Sequence, residues 1–172
     1  MKIGAAKELF AGEARVAMTP ESALQIIKLG HECLIETGAG VKAGFADDVY
    51  RAAGVTVVAD AATLYADADV VVKVRGPEPT EVALLRDGQT LISFFWPAQN
   101  AELLEAVRPK GATVIALDMV PRLRRAQHMH ALSSIANIAG YRAVPQAGTP
   151  FFPFLPCQAP AAGQVPPAQP PV

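Results

Sequence analysis

The sequence has little of several features, and each shortage excludes a class of protein. Two cysteines among 172 residues, Cys33 and Cys157, predict neither a disulfide-stapled fold nor a cysteine-based metal site. No uninterrupted apolar run reaches the roughly 18–20 residues needed to cross a bilayer. Early charges leave no apolar stretch for a signal peptide. An excess of one charge is also missing, because a net charge of −1 gives no general electrostatic case for nucleic acid or anionic membrane.

These shortages predict a soluble, cytoplasmic protein that inserts into no membrane and binds no nucleic acid. Cys33 lies in an apolar run and is most simply a small buried residue, as suits a reducing compartment. The composition is 51% hydrophobic and 18% charged, which allows a sizeable core. The length suits one ordinary domain.

Strand-like and helix-like segments alternate through residues 1–144. The predicted strands are Lys2–Ala6, Glu32–Glu36, Val55–Val58, Val70–Val74, Thr90–Phe95 and Ala112–Leu117. The predicted helices begin after Thr19, at Asp47, at Ala61 and after Asn100, and a further helix covers Ala131–Val144. In the first helix, Ala23, Ile26, Ile27 and Leu29 form the expected apolar face. This alternation predicts an α/β fold, an open parallel sheet with helices on both faces, of the flavodoxin or Rossmann-like kind.

Residues 145–172 have a different character. They hold nine of the fifteen prolines and no charged residue. Proline excludes helix across most of such a segment. The segment also shows neither a charge pattern nor the periodicity of a core-forming element. We therefore expect an extended or disordered tail beyond a domain of residues 1–144.

A glycine-rich turn, Gly38–Ala43, matches the G-x-G-x-x-A pattern of dinucleotide-binding turns. The pattern alone is a weak signal. A dinucleotide turn leads directly into a long helix whose N-terminus meets the pyrophosphate. Here residues Gly44–Asp48 intervene before a short helix, so we predict a glycine-rich connection instead.

The basic segment 118–131 follows the sixth predicted strand, at the edge where open α/β sheets bind ligands. Three arginines, one glutamine and two histidines occupy its residues 122–130. Gln127 offers a donor and an acceptor, which suits the carboxamide of a nicotinamide ring. Arg122 offers a rigid fork of donors for carboxylate or phosphate. A solvated surface turn, and a structural role for both residues in tying the loop to the strand end, remain alternatives.

The amino-acid sequence of this segment and the helix after it, PRLRRAQHMHALSSIANIAGYR, resembles the nicotinamide-binding loop of the alpha subunit of proton-translocating NAD(P) transhydrogenases. KIGAAKE, RVAMTPE and FFWPAQN extend the resemblance over residues 1–144. It implies that Arg122 and Gln127 are catalytic. It also implies that NAD(H) is bound by Arg122, Gln127, His128, Met129 and His130. Because His130 stands where the family has an aspartate, closure of the loop over the nicotinamide is expected to weaken.

The resemblance also implies a reaction and partners. In that family NADH passes hydride to NADP⁺ while protons cross the membrane. The chain would therefore work with membrane-embedded and NADP-binding subunits. It would form a homodimer and lie at the periphery of the inner membrane. The family's glycine-rich NAD-binding fold would begin where this sequence stops. We therefore expect an N-terminal fragment that is inactive alone and binds NAD(H) weakly or not at all. A non-enzymatic remnant or docking module is the alternative.

Alanine dehydrogenase is a similar family and offers a further alternative. Arg15 and Lys73 match positions where that enzyme holds the carboxylate and carbonyl of its substrate. Its catalytic histidine corresponds to Trp96, and an indole cannot transfer the required proton. Arg15 and Lys73 are therefore expected to be structural cations. The sequence contains no Ser-His-Asp or Cys-His arrangement and predicts no metal site.

Overall fold

The computed structural model of the chain describes residues 1–121 and 123–148. The chain divides into two compact units, Met1–Pro121 and Arg122–Val172. Among the described residues, none of the helices combines the length and the apolar character needed to span a membrane.

The first unit is built on one six-stranded sheet in which every strand pair is parallel. The strands are β1 (Lys2–Ala5), β2 (Glu32–Glu36), β3 (Thr56–Val58), β4 (Val70–Arg75), β5 (Thr90–Phe94) and β6 (Thr113–Ala116). Their order is β3-β2-β1-β4-β5-β6, the order of doubly wound sheets. The predicted open parallel sheet is confirmed, and each predicted strand end lies within one residue of the observed end.

Within the described residues, six α-helices connect these strands or follow them in the sequence. They are α1 (Pro20–Lys28), α2 (Asp47–Ala52), α3 (Ala61–Asp67), α4 (Pro79–Leu84), α5 (Ala101–Val107) and α6 (Ala131–Gly148). Sequence analysis missed α4, because Pro77 and Pro79 around its start are typical of a turn. The omission matters, because α4 carries the buried carboxylate of Glu81.

Helix α1 shows how local sequence sets an element. The N–H of Ser22 donates to the Thr19 hydroxyl at 3.2 Å, and the Thr19 N–H donates to the Ser22 hydroxyl at 2.9 Å. This reciprocal capping fixes the helix start, and Pro20 suits the first helical position. Ala23 is fully buried, as predicted. The prediction for Leu29 was wrong: it is 75% exposed, because it is the C-cap residue and lies beyond the last helical turn.

Two hydrophobic clusters place helices on both faces of the sheet. In β2, Cys33 and Ile35 join a cluster that includes Ala23 of α1 and Tyr50 of α2. Leu34, between them, points to the opposite face and joins a cluster containing residues of α3, α4 and α5. This alternation is the two-residue period of a strand buried on both sides. It confirms the predicted layering and the burial of Cys33.

The glycine-rich turn has a packing role. Residues Val41–Ala43 form a single turn of 3-10 helix that ends at Gly44, whose φ is +87°. A Cβ on Gly40 would lie 2.6 Å from the ring of Tyr50, so glycine allows this turn to pack against α2. The next helix has only six residues. The predicted glycine-rich connection is confirmed.

In the second unit, α6 ends at Gly148, four residues beyond the predicted end at Val144 and with Pro145 inside it. The predicted boundary between helix and tail was therefore too early. Pro145 lacks only its own backbone N–H donor. The residues after it can therefore continue the helix for a last turn. Residues 149–172 lie outside the described residues, and the extended or disordered tail stays a prediction.

Candidate functional site

The carboxyl edge of the sheet carries a cleft of about 880 Å³, within the size range of small-molecule sites. It opens where β4 and β5 end. Its lining includes Phe10, Arg75, Gly76, Trp96, Asn100 and Leu103. A Cβ on Gly76 would lie 3.1 Å from Leu103, so the small residue contributes to the open space.

The neighbouring crevice between β1 and β4, where the strand order reverses, is closed by the chain itself. The Glu8 carboxylate accepts hydrogen bonds from the N–H groups of Val74 at 2.6 Å and Arg75 at 3.2 Å. Burial raises the pKa of Glu8, and the nearby Lys73 ammonium partly opposes that rise. The segment after β1 is thereby attached to the end of β4, which leaves the cleft beside β5 as the open part of the edge.

Lys73 does not face the cleft. Its side chain is 1% exposed, and its ammonium lies 2.5 Å from Glu81 Oε1 and 3.9 Å from Glu8 Oε2. It also donates to the Lys7 carbonyl at 3.4 Å. A buried ammonium stabilises two buried carboxylates that would otherwise repel each other, so removing any one of the three groups disrupts the set. These contacts favour the interpretation of Lys73 as a structural cation.

Arg15 shares a buried carboxylate with Arg75. Glu13 accepts from Arg15 Nε at 2.7 Å and NH2 at 2.6 Å, and from Arg75 Nε at 3.0 Å. The bonds from Arg15 are the main cause that lowers the pKa of Glu13 to about 2. Both arginine side chains are less than half exposed, at 44% and 43%.

Sequence analysis missed Arg75, although it lines the cleft. Its guanidinium lies 4.8 Å from the centre of the Phe10 ring, a cation–π geometry that orients the fork. Its position directly after the apolar run of β4 was the available signal, since ligands bind at that end of a parallel strand. Glu13 carried no signal in the sequence, because its role depends on two residues brought together by the fold.

Trp96 has an unusual backbone at the rim of the cleft. Its φ is +53°, and Trp96 is the only non-glycine residue with a positive φ among the described residues. A bulky residue in this region costs about 1–3 kcal/mol and persists only where its surroundings impose it. Here Asp118 Oδ1 accepts from the N–H groups of Phe95 at 2.7 Å and Trp96 at 3.1 Å.

Asn100 supports the same turn and does not cap the helix that follows it. It occupies the N-cap position of α5, but its side chain makes no capping hydrogen bond. Its amide donates instead to the carbonyls of Phe95 at 3.0 Å and Trp96 at 3.3 Å. Fixing the strained turn takes the side chain away from the helix start.

In the second unit, Arg122 and the side chains of Gln127 and His128 lie outside the described residues, so their roles stay predictions. The backbone of Arg124–Met129 forms 3-10 helix, and Met129 is 63% exposed. His130 is buried, and its Nδ1 accepts from the N–H of Ser133 at 3.1 Å. His130 therefore caps α6, a role that aspartate also performs well.

Over residues 1–121 and 123–148, no three His, Cys, Asp or Glu side chains form a group that could hold a metal ion.

Residues 4–139 match the family model described as alanine dehydrogenase/PNT, N-terminal domain. The chain is 69% identical over 169 residues to an NAD(P) transhydrogenase subunit alpha from Cereibacter sphaeroides, covering 98% of this chain and 32% of that protein. It is 38% identical over 151 residues to an alanine dehydrogenase from Bacillus subtilis, covering 88% of this chain and 39% of that protein.

Among solved structures, that of a transhydrogenase from Sinorhizobium meliloti matches with a TM-score of 0.86 and 39% identity, covering 98% of this chain and 50% of the other. The chain thus spans about a third of the length of the first two subunit alpha proteins it matches, at 32% and 33%. The matches agree with the family resemblance drawn from the loop and strand motifs.

Proposed function

Because the chain belongs to the alanine dehydrogenase/PNT N-terminal domain family, we propose that it forms the nicotinamide-positioning half of an NAD(H) site in a proton-translocating NAD(P) transhydrogenase. NADH, the substrate, would pass hydride to NADP⁺ held by another domain. The observation that carries the proposal is the 69% identity to a transhydrogenase subunit alpha over nearly the whole chain.

The residues proposed to act are Arg122 and Gln127. Gln127 would orient the nicotinamide carboxamide through its donor and acceptor, and Arg122 would fix the loop through its guanidinium. His128, Met129 and His130 would complete the contacts to the nucleotide. Direct transfer requires the two nicotinamide rings to approach to about 3–3.5 Å, so the work of the protein is orientation.

The described part of the site fits this chemistry better than it fits amino acid oxidation. A 2-oxo acid reduction needs a cation at the carbonyl and a proton donor. Lys73 is buried against Glu81 and Glu8, and Trp96 has no transferable proton of suitable pKa. Ring-to-ring hydride transfer requires neither group.

Two observations support a site for the nicotinamide end of NAD(H) and not for its pyrophosphate end. The cleft at the carboxyl edge of the first unit is within the size range of small-molecule sites. The Gly38–Ala43 turn packs on Tyr50 and leads into helices of three and six residues, which offer no long helix N-terminus to a pyrophosphate. The adenosine half would have to be held by another domain.

The partners proposed for this chain are the membrane-embedded and NADP-binding subunits of a transhydrogenase, with a second copy forming a homodimer. The chain would lie on the cytoplasmic side of the membrane and be held there through those subunits.

A domain exchange tests the proposal. Residues 1–144 would replace the matching segment of the Cereibacter sphaeroides subunit alpha, and reduction of an NADP⁺ analogue by NADH would be followed by absorbance. We expect activity that Gln127→Ala lowers by about 10²-fold, because a misplaced ring loses near-attack geometry. Gln25→Ala, at an exposed glutamine of α1, is the matched control in the same hybrid. A folded hybrid without hydride transfer would contradict the proposal.

A docking module remains the second candidate, and one observation favours it. Helix α6 exposes three large apolar side chains, Ile138, Tyr141 and Val144, at 68%, 81% and 61%. Size-exclusion chromatography separates the candidates: a clean monomer at all concentrations supports a self-sufficient module, and concentration-dependent association supports part of a larger enzyme.

A further inference from the structure

A row of aliphatic side chains crosses β4, β5 and β6 on one face of the sheet. Val72, Ile92 and Ile115 are direct neighbours in the strand register. Leu91 and Val114, the residues before Ile92 and Ile115, join the cluster under α3, α4 and α5, so the row points to the face that carries α1 and α2. Among the described residues, Val72 borders the cluster on that face, whereas Ile92 and Ile115 join neither cluster. We call these three residues the aliphatic row.

The surface around the aliphatic row is uncharged and open. Two residues earlier in the same strands, Val70, Thr90 and Thr113 share its face, so all six side chains are β-branched and none carries a charge. Ile115 is 45% exposed. Parallel sheets are covered on both faces, because their strands carry apolar residues on both. This half of the face therefore has the character of a buried surface without the helix that would bury it.

The topology limits where a covering helix can come from. The connections from β1 through β2 to β3 place α1 and α2 on one face, and those from β3 through β4 and β5 to β6 place α3, α4 and α5 on the other. This division follows from the single hand of parallel crossovers. Every connection that precedes β6 is thereby used. A helix on the aliphatic row must follow β6 in sequence or belong to another molecule.

The family comparison favours a segment that follows β6. The matched family model is an N-terminal domain, so the remainder of a longer relative comes after it in sequence. The chain covers 32% of the Cereibacter sphaeroides subunit alpha and 50% of the solved Sinorhizobium meliloti transhydrogenase. These relatives therefore carry a long polypeptide on the side of β6 from which the topology requires a cover.

We propose that the aliphatic row is the docking surface for an amphipathic helix from the part of a subunit alpha polypeptide that follows the matched domain. The helix places aliphatic side chains on Val72, Ile92 and Ile115 and keeps its polar side toward water. The inference goes beyond the proposed function, because it concerns the completion of the sheet and not the transfer of hydride.

The first test compares thiol labelling in the 172-residue chain and in the hybrid subunit described above. Ile115→Cys places a thiol on the row. Leu104→Cys is the matched control, because Leu104 is 43% exposed on α5, which packs on the opposite face. We expect Ile115→Cys to be labelled about tenfold or more slowly in the hybrid than in the chain, and Leu104→Cys at similar rates in both. Mass spectrometry of the peptides that contain each cysteine measures the rates.

The second test identifies what covers the row. Thr113 is exposed on the same face as Ile115, and replacing it by the photo-reactive p-benzoyl-phenylalanine places a cross-linker beside the row. We expect irradiation of the hybrid to link this position to a peptide that follows residue 144 within the same polypeptide. A cross-link to residues 1–144, to a second copy or to a lipid would overturn the proposal.

Three labelling results would also count against the proposal: equal rates for Ile115→Cys in the chain and the hybrid, equal slowing of Ile115→Cys and Leu104→Cys, or slower labelling of Ile115→Cys in the chain at high protein concentration. The last result would make a second copy the cover. A hybrid that protects Ile115→Cys but transfers no hydride would overturn the proposed function alone. A hybrid that transfers hydride while this thiol stays reactive would overturn the docking surface alone.

Discussion

At the scale of the residue, the buried charges of this chain act as closed sets. Lys73, Glu81 and Glu8 have side chains that are at most 3% exposed, and their charges have no access to bulk water. The Lys73 ammonium faces both carboxylates, and Glu8 also accepts from the N–H groups of Val74 and Arg75, so each buried charge has partners. Lys73, which the sequence suggests for substrate binding, here contacts carboxylates of the segment after β1 and of α4.

Replacing Lys73 by methionine should therefore be costly. Lys73→Met leaves the Glu81 and Glu8 carboxylates buried and facing each other, which we expect to lower the free energy of unfolding by about 3–5 kcal/mol. Urea denaturation measures the change. Lys42→Met, at an exposed lysine of the glycine-rich turn, should stay within about 0.5 kcal/mol. A loss below about 1 kcal/mol for Lys73→Met would show that the two carboxylates do not depend on the ammonium.

The lowered pKa of the Glu13 carboxyl group predicts that the free energy of unfolding depends on pH. Its pKa is lowered from 4.5 to about 2, chiefly by the hydrogen bonds from Arg15. A lowered pKa adds stability above the unfolded value of 4.5 and loses it as the pH falls toward 2. We expect the free energy of unfolding to fall over this range, and Glu13→Gln to flatten that fall.

The measurement is urea denaturation at several pH values between 2 and 4.5. Glu102→Gln, at an exposed glutamate of α5, serves as the control and should leave the pH profile unchanged. An identical slope in Glu13→Gln and in the unaltered chain would mean that the arginines do not hold the carboxylate in solution. Glu8 contributes with the opposite sign, because its pKa is raised.

At the scale of the element, the start of α6 depends on His130. The Ser133 N–H donates to its Nδ1, so the imidazole occupies the place of an N-cap acceptor. We expect His130→Ala to reduce the helicity of Ala131–Gly148, at a cost of about 1 kcal/mol, and His130→Asp to preserve it. Amide exchange at Ser133 and Ser134 follows the change.

The same pair of variants addresses the aspartate that the family has at this position. Because an aspartate satisfies the same N–H group, the exchange of aspartate for histidine leaves the helix start intact. We expect His130→Asp to leave NADH binding by the isolated chain as weak as before. Strong binding gained by this single change would show that loop closure, and not the adenosine contacts proposed for another domain, limits affinity.

The glycine-rich turn offers a second prediction at this scale. Gly40→Ala would bring a Cβ within 2.6–2.8 Å of the Tyr50 ring and hydroxyl and the Phe45 carbonyl, so we expect a loss of about 1–3 kcal/mol. Gly140→Ala is a matched control, because Gly140 lies within α6 and a Cβ there meets nothing within 4 Å. That substitution should stabilise the helix by about 0.5–1 kcal/mol. Equal stabilities for the two variants would contradict the packing role of Gly40.

At the scale of the whole molecule, the doubly wound sheet is proposed to supply only part of a dinucleotide site. Its cleft lies at the edge expected for a ligand, yet its glycine-rich turn packs against Tyr50. We therefore expect the 172-residue chain to bind NADH with a Kd above about 1 mM. Calorimetric titration measures this, with the full-length Cereibacter sphaeroides subunit alpha as the positive control. Micromolar affinity of the chain alone would refute the proposal that another domain holds the adenosine half.

The sequence by itself determined the six strands and five of the six α-helices described, because the signals that make them are local. Short apolar runs placed the strands to within one residue, and Thr19 with Pro20 placed the start of α1. The motifs around residues 121–142 indicated the family without any tertiary information. The end of α6 was missed, because a proline signals only a possible end of a helix. Whether the helix ends there depends on the backbone geometry of the last turn.

Only the tertiary structure decided the strand order and the use of the charged residues at the carboxyl edge. Glu8 bonds to Arg75, 67 residues away, and Asp118 bonds to Trp96 across 22 residues. No local pattern encodes such pairs, since each depends on parallel strands that bring distant segments to one edge. For this reason Lys73, Arg15 and Asn100 could be named from the sequence, whereas their partners, and the strained turn of Trp96, became visible only in the folded chain.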